Sequence, residues 1–394
     1  MNLSLLDTKF ILLLAALALL RRYCPSRLYP PFGLIASAIL VSIASVKTFI
    51  VVTAITVLYL YPSHLLWHYV SKRQPGGRVA RVVLGASIVG LVLLLIVFKV
   101  HRQFDVPFLG GSWAKDQLIA VVGFSYFVFR AINFLHIQSI LDIEEHNPFH
   151  LLYFMLFPPT LTSGPIQKYQ DFRQQLLAQR AVTASEMKEA LYRVTRGYFR
   201  KVVLAYTLDQ GVRKLLDVSV PNAYSSLLSV AMLYLFFYYD FAGYSDVAIG
   251  FGALMGIRVP ENFRKPFVAT SVTEFWRNWH ITLVDWFRDN VYVPLGGMQS
   301  SRVRASGLAF LIMLLCGLWH GLTISFVMWG CWHGCLLFAE GMTSSKPLQP
   351  SLRHGPRYWA RVVWTNARVA LGALFFLPDL NSTLTVLKGL TRWV

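Results

Sequence analysis

Charged residues are scarce in this sequence of 394 residues, in which Asp, Glu, Lys and Arg make up 14% and hydrophobic residues 55%. A soluble globular protein carries about a quarter charged residues, so this composition excludes an ordinary soluble domain. Carboxylates are scarcest, with 19 Asp and Glu against 37 Lys and Arg. Asp240 and Asp246 are the exceptions within the apolar segments, whereas a proton-relay transporter usually needs several such carboxylates.

Cysteine is also rare, with four residues at Cys24, Cys316, Cys331 and Cys335. The segment Cys331-Trp-His-Gly-Cys335 lacks the C-x-x-C-H order of a haem attachment site, and no second cysteine pair completes a zinc site. We therefore predict no metal site. The sequence also lacks a clear internal repeat, which disfavours a transporter built from repeats.

Long apolar runs are what the sequence does contain, at Leu5–Leu20, Phe32–Tyr61, Val82–Val100 and Leu118–Leu135. A run of roughly 18 or more apolar residues predicts a membrane-spanning helix, because a helix satisfies its own backbone hydrogen bonds in lipid. We therefore predict an all-α polytopic membrane protein. The first run lacks a small-residue cleavage pattern, so we expect a retained span rather than a secretion signal.

Basic residues stand on both sides of Phe32–Tyr61, in the segments Arg21–Arg27 and Lys72–Arg81. Loop arginines and lysines mark the cytoplasmic side of a membrane. If both segments are cytoplasmic, Phe32–Tyr61 forms two short crossings of about 15 residues that turn near Lys47, shorter than a bilayer of roughly 30 Å requires. One long span is the alternative.

The basic segment Thr162–Val220 interrupts the apolar pattern for the first time. Its Thr183-Ala-Ser-Glu186 sequence is a capping box and predicts the start of a helix. That helix carries Arg193, Arg196 and Arg200 on one face, which is typical of an amphipathic helix at the cytoplasmic membrane surface. A helix that packs under the bundle with solvated charges is the alternative.

The segment Arg258–Arg304 interrupts the pattern again. Ser271-Val-Thr-Glu274 is a second capping box, so we predict one helix from near Val272 that ends before Pro294. A helix rich in both tryptophan and charge belongs at the membrane interface or beside a water-filled cavity. On such a helix one face would hold Trp276, His280, Leu283 and Phe287.

The tripeptide Trp-His-Gly occurs twice, around His320 and His333. An ionisable residue inside membrane-embedded structure is a functional candidate, and neutral imidazole is the form that a general base needs. On one helix the two histidines would be about 20 Å apart. We therefore predict a helix break at Gly317 or Gly321. The break places His320 beside irregular backbone and favours it as the base, with His333 in a structural or supporting role.

Six motifs in order give the sequence a family resemblance that runs from about Gly123 to Glu340. They are Tyr239-Asp-Phe-Ala-Gly-Tyr-Ser-Asp246, Pro260-Glu-Asn-Phe263, Glu274-Phe-Trp-Arg-Asn-Trp-His280, Trp286-Phe-Arg-Asp289, Tyr292-Val-Pro-Leu-Gly-Gly297 and Gly317-Leu-Trp-His-Gly321. Together they resemble the cell-envelope branch of the membrane-bound O-acyltransferase family. That branch includes proteins similar to alginate O-acetylases and to the protein that transfers D-alanine toward teichoic acids.

The resemblance implies a helical bundle around a transmembrane tunnel, with amphipathic or re-entrant helices on its cytoplasmic side. It implies no bound cofactor and a cytoplasmic acyl donor, either a thioester on a phosphopantetheine carrier protein or acyl-CoA. By resemblance His320 and His280 are the catalytic residues, and His280 or Asn278 donates to the oxyanion or orients the acceptor. The predicted substrate and tunnel residues are Asn278, Trp276, Trp279, Trp319, His333 and Asp246.

The acceptor is expected on the far side of the membrane, as a hydroxyl of an envelope polymer or of a relay partner, and an extracytoplasmic transferase is the expected partner. Arg193, Arg196 and Arg200 would attract an acidic carrier protein or the phosphates of coenzyme A. Besides these partners we predict the lipid bilayer, and no nucleic acid. The location implied is the cytoplasmic (inner) membrane.

The motifs leave the acyl group open. They slightly favour D-alanyl over acetyl, and a polysaccharide or peptidoglycan O-acetyltransferase using acetyl-CoA is the alternative. A non-enzymatic transporter, flippase or scaffold is the alternative of another class. The predicted organisation is N-terminal membrane helices in 1–122, a core in 123–340 that contains the basic segment 162–220, and a C-terminal loop and helix in 341–394.

Overall fold

The computed structural model describes residues 23–103, 123–141, 147–217, 221–343 and 355–393, together with 16, 17 and 20. Across these residues the backbone is helical apart from connecting turns and one isolated β-bridge. This confirms the predicted all-α fold. Most of Leu5–Leu20 and the first residues of Leu118–Leu135 lie outside the described residues.

The described residues form two compact units. One contains residues of 1–196 and 245–260, and the other contains residues of 197–244 and 261–394. In the first half of the chain the α-helices of seven or more residues are α1 (Tyr29–Ala44), α2 (Val46–Ile55), α3 (Tyr61–Arg73), α4 (Arg78–Gln103), α5 (Phe124–Leu141), α6 (Pro148–Leu156), α7 (Tyr169–Ala178) and α8 (Ala184–Tyr198). In the second half they are α9 (Tyr206–Leu216), α10 (Ala223–Leu254), α11 (Val272–Asn278), α12 (Ile281–Phe287), α13 (Arg302–His320), α14 (Ile324–Thr343), α15 (Pro356–Ala373) and α16 (Leu380–Gly389).

Five helical stretches within the described residues are long and apolar enough to cross a membrane. They are Ser26–Ala44, Val46–Arg73, Arg78–His101, Ala223–Leu254 and Arg302–His320. Their surfaces suit lipid, because large apolar side chains such as Leu58, Leu66 and Leu93 are more than half exposed. The protein is therefore a polytopic membrane protein, as the apolar runs predicted.

The predicted turn near Lys47 is confirmed, since α1 ends at Ala44 and Ser45 has extended backbone. The Ser45 hydroxyl then caps α2 by accepting from the N–H of Thr48 at 3.1 Å. The predicted short second crossing is wrong. The helix continues through a π-helical turn into α3, which gives a stretch of 28 residues that ends at Arg73. The wider turn directly precedes Pro62, which lacks an N–H for a regular helical hydrogen bond.

A buried arginine ties together the start of the first unit. Arg130 on α5 is fully buried, and its guanidinium donates to the backbone oxygens of Phe154 and Met155 at 2.9 and 3.0 Å and to the hydroxyl of Thr160 at 3.0 Å. Carbonyls in the last turn of a helix lack regular helical partners, and Arg130 satisfies that of Met155 and shares that of Phe154 with the N–H of Phe157. A buried guanidinium that is hydrogen-bonded in this way fixes α5 against the end of α6.

The capping box at the start of α8 is confirmed. The carboxylate of Glu186 accepts from the backbone N–H of Thr183 at 3.0 Å, and the Thr183 hydroxyl accepts from the N–H of Glu186 at 3.2 Å. The first of these bonds is the main cause that lowers the pKa of Glu186 to about 2. Ala190 and Val194 pack against Gly250 of α10. These contacts favour the second interpretation of this segment, a helix packed against the bundle.

The predicted single helix from Val272 to Pro294 is wrong. α11 ends at Asn278, His280 adopts a left-handed conformation with φ of 46°, and α12 begins at Ile281. Trp276, His280, Leu283 and Phe287 therefore do not share one helical face. The break has a tertiary cause, because an antiparallel bridge joins Trp279 to Phe263 and replaces helical hydrogen bonds there.

The predicted break between the two Trp-His-Gly sequences is confirmed. α13 ends at His320, Gly321 has extended backbone, and α14 begins at Ile324. The two helices pack closely through glycines. A Cβ atom at Gly317 would lie 2.3 Å from the carbonyl oxygen of Phe326, and one at Gly330 would lie 2.8 Å from the Cα of Leu314. Only residues without a side chain permit this approach of two helical backbones.

Candidate functional site

His280 lies in the break between α11 and α12, and it is 4% exposed. Its Nδ1 atom lies 3.1 Å from Oδ1 of Asn262, whereas its Nε2 atom is buried and has no hydrogen-bond partner among the described residues. The ring of Phe241 packs against it at 4.5 Å. A non-glycine residue in the left-handed region costs about 1–3 kcal/mol, and such strain concentrates at functional sites.

Asn262 holds this strained turn in place from a loop eighteen residues upstream. Its backbone oxygen accepts from the N–H of Ile281 at 3.0 Å. Its side-chain Oδ1 accepts from the N–H of Thr282 at 3.3 Å and from the Thr282 hydroxyl at 2.9 Å. Asn262 is fully buried. The hydrogen bonds offset the cost of the turn and fix the position of the His280 imidazole.

His320 is the last residue of α13, so its imidazole lies at the point where regular helix stops. Aromatic rings surround it, with centroids at 4.7 to 5.8 Å. They belong to Trp319, Phe326, Trp329 and Phe376. The residue itself is half-buried. The imidazole of His320 is therefore surrounded by apolar rings and remains partly exposed.

The structure places His280 and His320 near each other, each at a helix break, and the catalytic roles that the resemblance implied for them stay a prediction. Burial lowers the pKa of His280 well below the ordinary 6.5, and the nearby His320 lowers it further because two imidazolium charges repel each other. The ring of Trp319 has its centroid 6.4 Å from that of His280 and 4.7 Å from that of His320. Two imidazoles from separate parts of the chain therefore pack against the same indole, and burial favours the neutral form of His280 there.

His333 occupies a packed position on α14 and is 2% exposed. Its ring contacts Trp276 at 5.1 Å and Trp329 at 4.9 Å, and a Cβ atom at Gly372 would lie 2.4 Å from its Nε2. Trp329 in turn contacts His320 at 5.2 Å. These contacts are consistent with the predicted supporting role of His333, which stays a prediction.

The other predicted residues of this segment lie around the same break. Trp279 stacks on Tyr234 and Phe275, at 6.2 and 5.3 Å. Asn278 donates its side-chain amide to the carbonyl oxygen of Glu274 at 2.8 Å. This bond ties the amide of Asn278 to its own helix.

Trp276 differs from its neighbours because its indole N–H is buried and has no acceptor among the described residues. It lines a cavity of about 550 Å³ among α11, α12, α13 and α14. Cys316 lines the same cavity, one helical turn before His320. Other wall residues are apolar, including Leu283, Phe287, Ile312, Met313 and Leu337, and the charged lining residues are Arg277, Asp285, Arg288 and Arg302. The cavity thus combines a largely apolar interior with a predominantly basic set of charges, and its lining includes Ile281 and Cys316, which lie one and four residues from His280 and His320.

The sequence analysis missed Glu340, which anchors α11. Its carboxylate accepts from the backbone N–H groups of Val272 and Thr273, at 2.8 and 3.0 Å, and lies 3.5 Å from the guanidinium of Arg368. A carboxylate at a helix N-terminus satisfies unpaired N–H groups and interacts favourably with the helix dipole. The second capping box is therefore confirmed in part: Ser271 caps the N–H of Glu274, while the Glu274 carboxylate accepts from Thr270.

Asp246 and two of the predicted docking arginines form an ion-pair group in the first unit. Asp246 accepts from Arg193 at 3.0 Å and from Arg196 at 2.8 and 3.1 Å, and its side chain is 5% exposed. Arg200 belongs to the second unit and is half-buried in the π-helical segment Phe199–Ala205. Asp246 thus compensates part of the charge that the sequence analysis assigned to docking.

Comparison with known proteins assigns the family. The family model of the membrane-bound O-acyltransferases matches residues 91–377, more than half of the chain. The chain is 34% identical over 332 residues to a probable alginate O-acetylase AlgI of Pseudomonas fluorescens, covering 82% of this chain and 63% of that protein. With the corresponding protein of Pseudomonas syringae pv. tomato the identity is 36% over 230 residues, covering 57% and 43%.

A second kind of relative is the teichoic acid D-alanyltransferase of Bacillus subtilis. It is 29% identical over 299 residues, which are 73% of this chain and 74% of the relative. The chain spans less than two thirds of the length of both alginate O-acetylases above. The match of the family model, together with the relatives, confirms the resemblance carried by the six motifs. The chain belongs to the membrane-bound O-acyltransferase family.

Proposed function

We propose that this protein transfers an acyl group from a cytoplasmic thioester to a hydroxyl group of a cell-envelope polymer or of a relay partner. The observation that carries the proposal is that the imidazoles of His280 and His320 pack against the same indole ring, that of Trp319. The two histidines come from separate segments, and His320 lies at a helix break one turn after Cys316, which lines a largely apolar cavity. Acyl transfer to a hydroxyl needs a general base in a water-poor site, and imidazole is the usual side chain for that role.

In the proposed reaction His320 removes the proton of the acceptor hydroxyl as its oxygen attacks the thioester carbonyl. The carbon–oxygen bond forms, the carbon–sulfur bond breaks, and the proton passes from the imidazole to the departing thiolate. Trp276 lines the cavity, and its buried indole N–H has no acceptor among the described residues, so we propose it as the donor to the carbonyl oxygen as negative charge develops there. The cavity offers an apolar path to the phosphopantetheine arm that carries the thioester. The basic side chains that line the cavity suit a phosphate group.

Acetyl is the acyl group that the comparisons support better. The identity to the alginate O-acetylase of P. fluorescens is 34% over 82% of this chain, against 29% over 73% for the D-alanyltransferase. D-alanyl, slightly favoured by the motifs, is the alternative. On this proposal the donor is cytoplasmic, the protein lies in the cytoplasmic membrane, and an extracytoplasmic transferase is a further partner.

The proposed activity predicts base-labile esters that depend on this protein. Envelopes of source cells with and without the gene would be treated with mild base, and the released acids identified by mass spectrometry. We expect acetate release to fall in the deletion strain and to return with the gene on a plasmid. A fall in D-alanine instead would identify the alternative acyl group. Unchanged release of both acids would contradict the proposed function and favour the transporter or scaffold alternatives.

We also propose that Arg193 and Arg196 help the donor to dock. A test of this proposal needs a variant that removes the carboxylate of Asp246 together with the two arginines. Replacing the arginines alone would take two cationic partners from the buried carboxylate of Asp246, which is strongly destabilising. The variant R193Q/R196Q/D246N removes the whole group. If the arginines attract the donor, we expect a several-fold higher KM for the donor at a normal protein level, because surface charge acts mainly on association. R200Q tests the third arginine separately.

The matched control for docking is D246N alone, which keeps both arginines and removes their partner. Docking by the arginines predicts that D246N binds the donor at least as well as the wild type, provided that the protein inserts normally. An unchanged donor KM in R193Q/R196Q/D246N, with normal insertion, would show that these arginines serve only to pack α8 against α10.

A further inference from the structure

The atoms around His280 determine which of its two ring nitrogens carries the proton. The Asn262 side-chain atom that faces Nδ1 of His280 also receives the backbone N–H of Thr282. A backbone N–H can only donate, so this atom must be the amide oxygen and not the amide nitrogen. The oxygen can only accept. Nδ1 of His280 must therefore donate to it and carry the proton.

The second ring nitrogen then has a defined state. Burial keeps His280 neutral, and a neutral imidazole has a single N–H. Because that N–H is Nδ1–H, the Nε2 atom presents a lone pair. Nε2 is buried and has no hydrogen-bond partner in the part of the chain that the structure describes. An unpartnered lone pair inside an apolar site is costly unless a substrate or a proton uses it.

We infer that Asn262 is a positioning residue that fixes the Nδ1–H tautomer of His280, so that Nε2 of His280 accepts a hydrogen bond from the substrate and does not donate one to the oxyanion. The inference rests on the proposed acyl transfer, in which His320 takes the proton, and of the two roles expected of His280 it excludes donation to the oxyanion. The oxyanion then takes its hydrogen bond from another group. His320 is the titratable residue among those described whose charge acts on His280, while Phe241 and Trp319 contribute rings.

The tautomer can be measured without any assay of activity. The full-length protein would be labelled with ¹⁵N-histidine and reconstituted in lipid nanodiscs, and the His280 signals would be assigned by comparison with H280Q. We expect a protonated Nδ1 and an unprotonated Nε2 in the ¹⁵N spectrum near neutral pH. A protonated Nε2 would overturn the inference, whether or not the protein proves to be an acyltransferase.

Substitution of Asn262 tests the consequence for catalysis. In N262L the Nδ1 proton loses its acceptor, so the tautomers exchange, and we expect kcat to fall about 10²-fold with little change in KM. In N262D a carboxylate faces Nδ1 and raises the pKa of His280. His280 then stays protonated, and unable to accept, up to a higher pH. The acid limb of the pH–rate profile should therefore move to higher pH.

T282V serves as the structural control, because it removes a hydrogen bond to the same Asn262 oxygen and leaves the contact with His280. We expect T282V to lower thermal stability without moving the acid limb. Identical pH profiles for N262D and the wild type, in folded and active protein, would show that Asn262 only stabilises the turn. A shift of the acid limb in N262D, with no shift in T282V, supports the positioning role. If N262L fails to fold, N262D still provides the test.

Discussion

Replacing His320 by alanine is expected to reduce ester formation by roughly 10²- to 10⁴-fold, the range that general acid–base catalysis contributes. The imidazole lies at the end of α13, in an aromatic wall that offers no second base. Its nearest ring neighbours, Trp319, Phe326, Trp329 and Phe376, carry no group that can take up a proton at neutral pH. His280 is close, but the burial that lowers its pKa well below 6.5 makes it a weak base and a poor substitute. The measurement is mild-base release of the acyl group from envelopes at matched protein level.

Two further variants separate chemistry from packing at this position. H320Q keeps a polar side chain of similar size but cannot act as a base, so it should lose as much activity as H320A while unfolding at the wild-type temperature. H68A removes a half-buried imidazole of α3, outside the histidine site, and should keep activity. If H320A and H320Q release as much acyl group as the wild type, His320 is not the base, and the scaffold alternative then accounts better for the protein.

The sequence predicted the position of His320 because the signals for it are local. The apolar segment was too long for one crossing, and Gly317 and Gly321 offered places for a break. The structure ends α13 one residue before Gly321. The capping boxes at Thr183 and Ser271 were predictable for the same reason, since a helix start depends on residues within one turn.

The break at His280 could not be predicted in this way. No glycine or proline stands between Trp276 and Pro294, so helical periodicity favoured one continuous helix. The structure interrupts it through the bridge between Phe263 and Trp279 and through Asn262, which lie in a different loop. Such a tertiary contact overrides local propensity, and a pattern read along a single segment contains no trace of it.

The roles of charged residues were predicted wrongly where their partners are distant in the sequence. Glu340 stands at the end of an apolar helix, and its contact with α11 spans 68 residues. Arg193 and Asp246 are 53 residues apart, so composition alone counted the arginine as free. Counting charges predicts topology and attraction at long range, whereas the use of one carboxylate as a helix cap or a counter-ion depends on packing.

The close contact of α13 and α14 leads to a prediction about the backbone beneath His320. In G317A the new methyl group would lie 2.3 Å from the carbonyl oxygen of Phe326 and 3.2 Å from the backbone nitrogen of Gly330. Neither atom belongs to a flexible side chain, so the helices must separate. Overpacking of this kind costs about 1–3 kcal/mol. We expect a lower unfolding temperature and a large loss of activity, because the helix that moves ends at His320.

The matched control lies on the same helix. A Cβ atom at Gly307 would meet nothing within 4 Å, so G307A adds the same methyl group to α13 without a clash. Since alanine is the better helix former by about 1 kcal/mol, G307A should be neutral or stabilising. Thermal unfolding in detergent and ester release would be measured for both variants. Equal stability and activity of G317A and G307A would mean that α13 and α14 can move apart without loss of stability or activity. In that case the reactivity of His320 would depend on its aromatic neighbours and not on the glycine contact.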